Sequence, residues 1–314
     1  MYECAVQVNF RLRLSHAPSA AQEARMISPY VRRHRLAAEL RELRASSGIS
    51  TVDLAKAIGV HRPVLSNLEN GKGTPNLNVV FKILEHLDVK NPKWDEVIKI
   101  AREASERGWW VPLTKKMGPR QALYADLEGG ATQIRDVQQA LIPGLLQTPE
   151  YTRARLAESE QWFPRTPGTT VEGILEGRAG RRRNLHRPDG PRFETILDEI
   201  AITRPTAAPH ILREQYRHIV DVVEREAPRI SVLILPLTAK ISSYAVPLTR
   251  FSIYDYVNDP PVVSIEGASN DTVLHGPEAV QSHVNLYDML REASLSPEAS
   301  IEALFRAAER LPHI

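Results

Sequence analysis

The chain has 314 residues, 42% of them hydrophobic, and its 40 Lys and Arg residues against 38 Asp and Glu residues give a net charge of +2. These values are typical of a folded protein and exclude a polycation, and the length predicts about two domains. One cysteine excludes an internal disulfide. Because no apolar run reaches the roughly 20 residues that span a bilayer and no signal core is visible, we expect a cytoplasmic protein.

Residues 1–27 contain two conflicting patterns. The stretch "VQVNFRLRL" alternates as a strand does, whereas the following "SHAPSAAQEARM" has no period. We predict a disordered N-terminal extension over residues 1–27. A short edge strand is the alternative.

Residues 28–108 have the pattern of five short helices, which predicts an all-α domain. Leu36, Leu40 and Leu43 recur at spacings of four and three, as one face of a helix does. The first three helices are expected to end at Gly48, Gly59 and Gly71. The fourth and fifth are expected to cover residues 76–87 and 91–108. Gly and Pro then interrupt the pattern, so residues 109–119 are predicted to be a linker.

Positive charge is concentrated in this first domain. Between Arg25 and Thr74 there are nine Arg or Lys residues and four acidic residues, a net of +5, so the remainder is slightly acidic. A basic module on a near-neutral body is typical of contact with nucleic acid.

Residues 51–70 fit a helix-turn-helix, in which two short helices cross steeply over a tight turn. Ala55 is the small residue needed where the helices touch, and Gly59 suits the turn. Leu65 and Leu68 are expected to point inward from the second of these helices. The spacing therefore predicts a DNA-binding unit.

The outer face of the third helix presents Arg62, Pro63, Ser66 and Asn67. Arginine can bond guanine through two donors, asparagine can pair in the same way with adenine, and an apolar ring can pack on a thymine methyl. These four residues are the predicted base contacts.

Pro63 also predicts where this helix begins. Proline is tolerated in the first turn, where its missing N–H has no helical partner to lose. Because it disfavours helical angles in the residue before it, Arg62 is expected to lie at the cap.

The stretch from Leu40 to Leu87 resembles the phage-repressor-like (XRE) helix-turn-helix family through the pattern "LA…IGV…LS.LENG…P". The resemblance implies binding of a double-stranded DNA operator, and so association with the nucleoid. It places Arg62, Pro63, Ser66 and Asn67 at base edges and Thr51, Asn70 and Lys72 at backbone phosphates. The family usually has Gln at the position of Thr51, whose reach is shorter. A module used only for dimerisation is the alternative.

Residues 120–314 mix helix and strand patterns. Helices are predicted over 122–140, 149–159, 170–185, 210–226, 276–295 and 296–311, and strands over 193–204, 230–237, 250–257 and 261–267. Because the two types do not alternate strictly, an α+β domain is favoured over a doubly wound sheet.

This C-terminal part has no sequence motif of catalysis. There is no G-x-S-x-G, Walker loop, H-E-x-x-H or dinucleotide fingerprint, and the histidines are scattered. We predict no catalytic residue, no metal, no cofactor and no enzymatic activity. The run of arginines between Arg178 and Arg187 is interpreted as a solvated helix end, with DNA contact as the alternative.

The stretch "QQALIPGLLQTPEYTRARL", together with "ERGWW", "LDEIAITRP", "ISVLILPL" and "SPEASIE", resembles a group of actinobacterial, antitoxin-like transcriptional regulators. These regulators join an XRE domain to a long C-terminal domain. The resemblance implies a very small partner protein encoded nearby, which the C-terminal regulatory domain binds. It implies no catalytic residues.

A homodimer is expected because one module of this kind contacts only one half-site. Its interface is predicted to involve the fifth helix, Trp109 and Trp110, or surfaces of the C-terminal domain. Packing between the domains is the other interpretation of the tryptophan pair.

Three hypotheses for function follow. The leading one is a sequence-specific transcriptional regulator whose C-terminal domain receives a protein signal. The alternative is a ligand-sensing regulator with a small-molecule pocket in that domain. An enzyme fused to a DNA-binding domain is the least favoured.

Overall fold

The computed structural model describes residues 27–246, 248–267 and 270–312, without the side chain of Tyr244. Residues 1–26 of the predicted N-terminal extension lie outside the described residues.

The N-terminal domain consists of helices, as predicted. They are α1 (Pro29–Ser46), α2 (Thr51–Ala57), α3 (Arg62–Glu69), α4 (Leu77–His86) and α5 (Lys93–Ala104). Two of them begin at a serine cap: the Ser28 hydroxyl accepts from the N–H of Val31 and the Ser50 hydroxyl accepts from that of Asp53, both at 3.1 Å. The apolar stripes of these helices meet in one buried cluster.

The C-terminal part contains eight helices and six strands among the described residues. They are α6 (Thr114–Met117), α7 (Pro119–Glu128), β1 (Gln133–Gln138), α8 (Pro149–Ser159), α9 (Val171–His186), β2 (Arg192–Asp198), α10 (Ile200–Thr203), α11 (Pro209–Glu226), β3 (Ile230–Leu235), β4 (Phe251–Asp255), β5 (Val262–Ile265), β6 (Thr272–Leu274), α12 (Pro277–Ala293) and α13 (Pro297–Glu309).

The strands form one mixed sheet in the order β3-β2-β1-β4-β5-β6. Strands β1, β2 and β3 are parallel and joined by helices, whereas β4, β5 and β6 run antiparallel to their neighbours. The sheet and its helices agree with the predicted α+β class.

Helices cover both faces of the sheet. On one face, Val137, Ile196 and Phe251 pack against Tyr287 of α12. The opposite face joins a larger core that includes residues of α7, α8, α11 and α13. Because alternate residues of a strand point to opposite faces, Ile134, Asp136 and Gln138 of β1 all lie on this second face.

One predicted helix is wrong. Residues 122–140 were expected to be helical throughout, but α7 ends at Glu128 and the chain continues into β1. Gly129 and Gly130 separate the two elements, and the φ of +105° at Gly130 favours glycine. The predicted strand over 193–204 is also shorter than expected, since β2 ends at Asp198 and α10 follows.

The predicted linker is folded. Residues Val111–Leu113 form a 3-10 turn that continues into α6. Trp110 and Met117 are buried together with alanines of α7. This segment therefore packs as part of the core.

The start of α1 joins the two parts of the chain. Asp126 of α7 accepts hydrogen bonds from the Ser28 hydroxyl at 2.7 Å and from the Tyr30 N–H at 3.0 Å. Arg32 forms ion pairs with Glu103 of α5 at 3.1 Å and with Asp259, in the β4–β5 connection, at 3.0 Å. The Arg32–Asp259 pair is largely buried and, with the two hydrogen bonds to Asp126, fixes α1 against the C-terminal domain.

Candidate nucleic-acid interface

Helices α2 and α3 form the expected helix-turn-helix. The turn between them contains Gly59, whose φ of +68° favours glycine, and the Val60 N–H donates to the Ala55 carbonyl at 2.9 Å. Ala55 is 2% exposed and Leu65 is fully buried, so the two helices touch through the residues predicted for that role.

Three of the four predicted base-contacting side chains are exposed. Arg62, Pro63 and Asn67 are exposed, and Ser66 is half-buried. Helical spacing puts Arg62 and Ser66 four residues apart on one face, with Pro63 and Asn67 beside them. The arrangement presents a guanidinium and a carboxamide outward, as base contact requires.

The helix starts one residue earlier than expected. His61 has extended angles (φ −69°, ψ 136°) and is the cap, so Arg62 is the first helical residue and Pro63 the second. The steric bias that proline places on the preceding residue is therefore overcome here. The first-turn position of Pro63 still removes only an N–H that no helical carbonyl would accept.

Two of the residues predicted to contact phosphate already have partners within the chain. The Asn70 side-chain amide donates to the Ser66 carbonyl at 2.6 Å. The Thr51 hydroxyl donates to Glu69 at 3.3 Å. A phosphate would compete with these acceptors, and the phosphate contacts of Asn70 and Thr51 stay predictions.

Glu69 is an anchor that sequence reasoning missed. Its side chain is 5% exposed and accepts from Arg44 Nε at 2.5 Å as well as from Thr51. This buried carboxylate ties the end of α3 to α1 and α2, and so fixes the angle at which α3 is presented.

Lys72 differs from the other two predicted phosphate contacts. It lies in an exposed turn between Gly71 and Gly73, both with positive φ, and its side chain has no bond to any described residue. Its ammonium is therefore available to an anion.

The basic residues of the domain fall into two groups, those in ion pairs and those exposed beside the helix-turn-helix. Arg32, Arg33, Arg35 and Arg44 form ion pairs inside the protein. Of the nine basic residues counted between Arg25 and Thr74, those exposed beside the helix-turn-helix are Arg41, Lys56, Arg62 and Lys72. The local charge of +5 therefore overstates the charge that faces DNA.

Two exposed valines also belong to this surface. Val52 of α2 is 52% exposed and Val64 of α3 is 43% exposed. Apolar side chains on a DNA-facing surface suit thymine methyl groups. Valine is normally assigned to a core, so the sequence pattern alone did not identify them.

The tryptophan pair packs within the chain. Trp109 and Trp110 meet edge to face with ring centroids 6.0 Å apart. Trp110 is 5% exposed, and Trp109 covers Gly180 of α9 so closely that a Cβ there would lie 2.3 Å from the indole ring. Of the two interpretations of this pair, the geometry favours packing inside the chain.

The predicted solvated end of α9 is buried instead. Arg181 is 6% exposed and its guanidinium pairs with Glu128, the Nη2–Oε1 distance being 2.5 Å. The interpretation of the arginine run as a solvated helix end is wrong for this residue, because helix α7 supplies a carboxylate that the local sequence could not show.

No helix in the described part of the chain is long and apolar enough to cross a membrane.

Comparison with known proteins agrees with the geometry of the N-terminal domain. Residues 40–94 match the family model described as Helix-turn-helix. An uncharacterized HTH-type transcriptional regulator of Archaeoglobus fulgidus is 43% identical over 44 residues, which are 14% of this chain and 63% of that protein. The match thus spans less than two thirds of that relative. The N-terminal unit is a helix-turn-helix domain of the XRE type.

The larger part of the chain matches a second family model. Residues 121–306 match the Domain of unknown function (DUF5753). Because this range is more than half of the 314 residues, the chain belongs to that family. No solved structure matches the chain.

Proposed function

We propose that this protein is a sequence-specific transcriptional regulator that binds a double-stranded operator by placing α3 in the major groove. The observation that carries the proposal is the outer face of α3, where the side chains of Arg62 and Asn67 are exposed and bond to no described residue. Polar side chains without a partner on a helix-turn-helix are suited to base edges. The protein acts in this proposal by binding, not as an enzyme.

Binding to a DNA sequence selected from a random library tests this proposal. The full chain should bind the selected duplex at least about a thousandfold more tightly than a scrambled duplex at the same salt concentration. Equal affinity for the two duplexes would reduce the function to non-specific binding.

The proposal includes a homodimer. One helix-turn-helix covers one half-site, and two copies related by a twofold axis reach half-sites about 34 Å apart. Light scattering after size exclusion should give twice the mass of the chain at micromolar concentration. A mass of one chain, with a selected DNA site that has no twofold symmetry, would contradict the dimer.

The C-terminal domain is proposed to bind a small partner protein, as in the antitoxin-like regulators that the sequence resembles. The connection between β3 and β4 supports this role, because Leu237 is 61%, Val246 is 65% and Leu248 is 87% exposed. Apolar side chains grouped in one exposed segment are typical of a protein-binding surface.

Copurification with the product of a small reading frame adjacent to the gene tests the partner. Leu237→Ser combined with Leu248→Ser should abolish the interaction, whereas Phe305→Ser should not, since Phe305 is 47% exposed but lies on α13. Copurification that the double variant leaves intact would place the partner elsewhere. A toxic partner neutralised by this chain would support the antitoxin-like role.

A second candidate function is ligand sensing, and the cavities beside α7 favour it. Gln121 and Tyr124 of α7 line a cavity of about 130 Å³. Asp126 of the same helix holds the start of α1 through two hydrogen bonds. A ligand that moves α7 would therefore act on the helix that carries the DNA-binding domain.

A further inference from the structure

A cleft of about 800 Å³ opens between α7, α8 and α9. We call it the arginine cleft, and its lining includes Arg120, Arg155, Arg178, Arg250, Trp162 and Phe163. Five of its lining residues also border a second cavity of about 130 Å³, so the two adjoin. A cleft of this volume suits a small organic ligand.

Two arginines of this cleft have no acidic partner among the described residues. Arg178 donates to the side-chain oxygen Oε1 of Gln147 and, at 2.6 Å, to the hydroxyl of Thr152. Both acceptors are neutral. Arg155 donates to the Thr206 backbone carbonyl at 2.8 Å. The Nε atoms of both guanidiniums are buried and bond to nothing in the described part of the protein.

The other arginines that line the cleft have acidic partners. Arg120 meets Asp271 and Arg250 meets Glu266, each at 2.9 Å, and Arg165 meets Glu160 at 2.8 Å. Arg155 and Arg178 differ from them in forming no ion pair. Both are half-buried. A partly buried cation without an anion is destabilising, so an anion from outside the chain would stabilise this site.

The two guanidiniums without an ion pair both act on one side chain. Burial raises the pKa of Tyr151, and the positive charges of Arg155 and Arg178 both oppose that rise. Burial and the neighbouring charges of Arg181 and Arg182 lower the pKa of Arg178 to about 9, although the charge of Glu266 opposes this shift. An added anion would relieve this repulsion, because the arginine fork suits carboxylate and phosphate oxygens.

The mouth of the cleft is aromatic. Trp162 and Phe163, in the connection between α8 and α9, are 72% and 57% exposed, and Leu156 and Ile174 line the wall between them and the arginines. Large aromatic side chains held in solvent have no role in the core of this chain. They can cover the apolar body of a ligand whose charged group lies deeper.

We propose that the arginine cleft binds a small amphiphilic organic anion, with its acidic group on Arg155 and Arg178 and its apolar body against Trp162 and Phe163. This ligand class rests on the second candidate function above. It does not depend on DNA binding, because the cleft and α3 share no residue.

The test uses the full chain and 8-anilinonaphthalene-1-sulfonate, a fluorescent aromatic anion. Its emission should rise on binding with one site per chain. Decanoate and decyl phosphate should displace it, and their relative potency tells which acidic group is preferred. Decanol has the same apolar body without the charge, and it should displace the probe at least about tenfold less well, since a charge-assisted bond contributes about 1.5–3 kcal/mol.

Variants locate the site. Arg155→Met with Arg178→Met should weaken probe binding by about tenfold or more, and Trp162→Ala should weaken it several-fold without touching a buried residue. Arg153→Met is the matched control, because this residue lies on the same helix α8 but faces solvent and pairs with Glu150. It should bind the probe as the wild type does.

The thermal midpoint separates a ligand-binding arginine from a structural one. Arg178→Met breaks no ion pair but removes hydrogen bonds to Gln147 and Thr152, so it should lower the midpoint less than Arg181→Met, which breaks an ion pair. Loss of probe binding in Arg155→Met combined with Arg178→Met, while Arg181→Met has the lower midpoint and still binds the probe, supports the proposal. Probe binding that persists in both the double arginine variant and Trp162→Ala, the absence of any binding, or equal displacement by decanol would overturn it. None of these outcomes changes whether the chain binds its operator, which is measured separately.

Discussion

The outer face of α3 and the buried region around β1 and α9 both carry polar side chains. They differ in whether those side chains have hydrogen-bond partners within the chain. On α3, the side chains of Arg62 and Asn67 are exposed and bond to nothing in the described chain. Around β1, Asp136 is 4% exposed and accepts from Thr195 and Ser252, each at 2.7 Å. Polar groups satisfied within the chain serve the fold, whereas exposed groups without a partner remain for binding.

The buried polar region should give the largest effect on stability. Replacing Arg181 with Met leaves the Glu128 carboxylate buried without its partner, which we expect to lower the free energy of unfolding by about 3–5 kcal/mol. Urea titration of the full chain measures this loss. Arg178→Met, on the same helix but without an acidic partner, should lose little. A similar loss in both variants would show that the ion pair is not what distinguishes them.

The α3 face should behave in the opposite way. Arg62→Ala should leave the unfolding free energy unchanged, because the side chain is exposed. It should cost roughly 1–3 kcal/mol of binding on the selected site and relax the preference at one base pair. Arg102→Ala, exposed on α5, is the control and should bind like the wild type. An unchanged ratio of specific to non-specific affinity would exclude base contact by Arg62.

Lys72 sharpens the comparison within the DNA-binding face itself. If its ammonium neutralises one phosphate, Lys72→Ala lowers the slope of log K against log salt by about 0.9, whatever the DNA sequence. Titrations of the selected and scrambled duplexes at four salt concentrations measure the slope. A slope equal to that of the wild type would remove Lys72 from the phosphate contacts.

The smallest effect is expected at a contact between the N-terminal and C-terminal domains. There His34 of α1 stacks on His275, which follows β6, with ring centroids 3.8 Å apart. Burial and the neighbouring His34 lower the pKa of His275 to about 4, below the ordinary value near 6.5. The unfolded chain therefore takes up this proton at a higher pH than the folded chain does. The stabilisation from neutral His275 is therefore full above pH 6.5 and declines as the pH falls toward 4.

Asp136 works against this trend, so the measurement must compare variants. Burial raises the pKa of Asp136 to about 6, and its contribution to stability is lost as the pH rises through that value. Between pH 7 and pH 5 the wild type should lose about 1 kcal/mol relative to His275→Phe, because part of the His275 effect is screened by solvent. Parallel unfolding curves for the two proteins across this range would assign the histidine stack no role in pH dependence.

The two regions also differ in how far sequence alone could predict them. The helix-turn-helix depends on contacts within about 20 residues, and the roles of Ala55, Gly59 and Leu65 follow from local spacing. The sequence could not show that Thr51 has an acceptor inside the domain, because Glu69 becomes a buried anchor only when α1, α2 and α3 meet. The acceptor of Asn70 is local, since the Ser66 carbonyl lies one turn earlier in the chain.

Strand β1 shows why the C-terminal domain was harder to predict. Its sequence, QIRDVQ, carries a polar residue at four of six positions, which does not indicate the central strand of a buried sheet. The carboxylate of Asp136 is acceptable there only because β2 and β4 bring hydroxyl donors to it from 59 and 116 residues away. The same holds for Arg181, whose partner Glu128 lies 53 residues earlier.

The central claim is that α3 recognises bases. Selection of DNA from a random duplex library tests it most directly, with two proteins in parallel: the wild-type chain and the double variant Arg62→Ala with Asn67→Ala. We expect the wild type to enrich one defined sequence. The variant should remain folded, retain salt-dependent binding and enrich no sequence, because its phosphate contacts are intact and its base contacts are gone. Enrichment of the same sequence by both proteins would contradict the role of α3 in recognising bases.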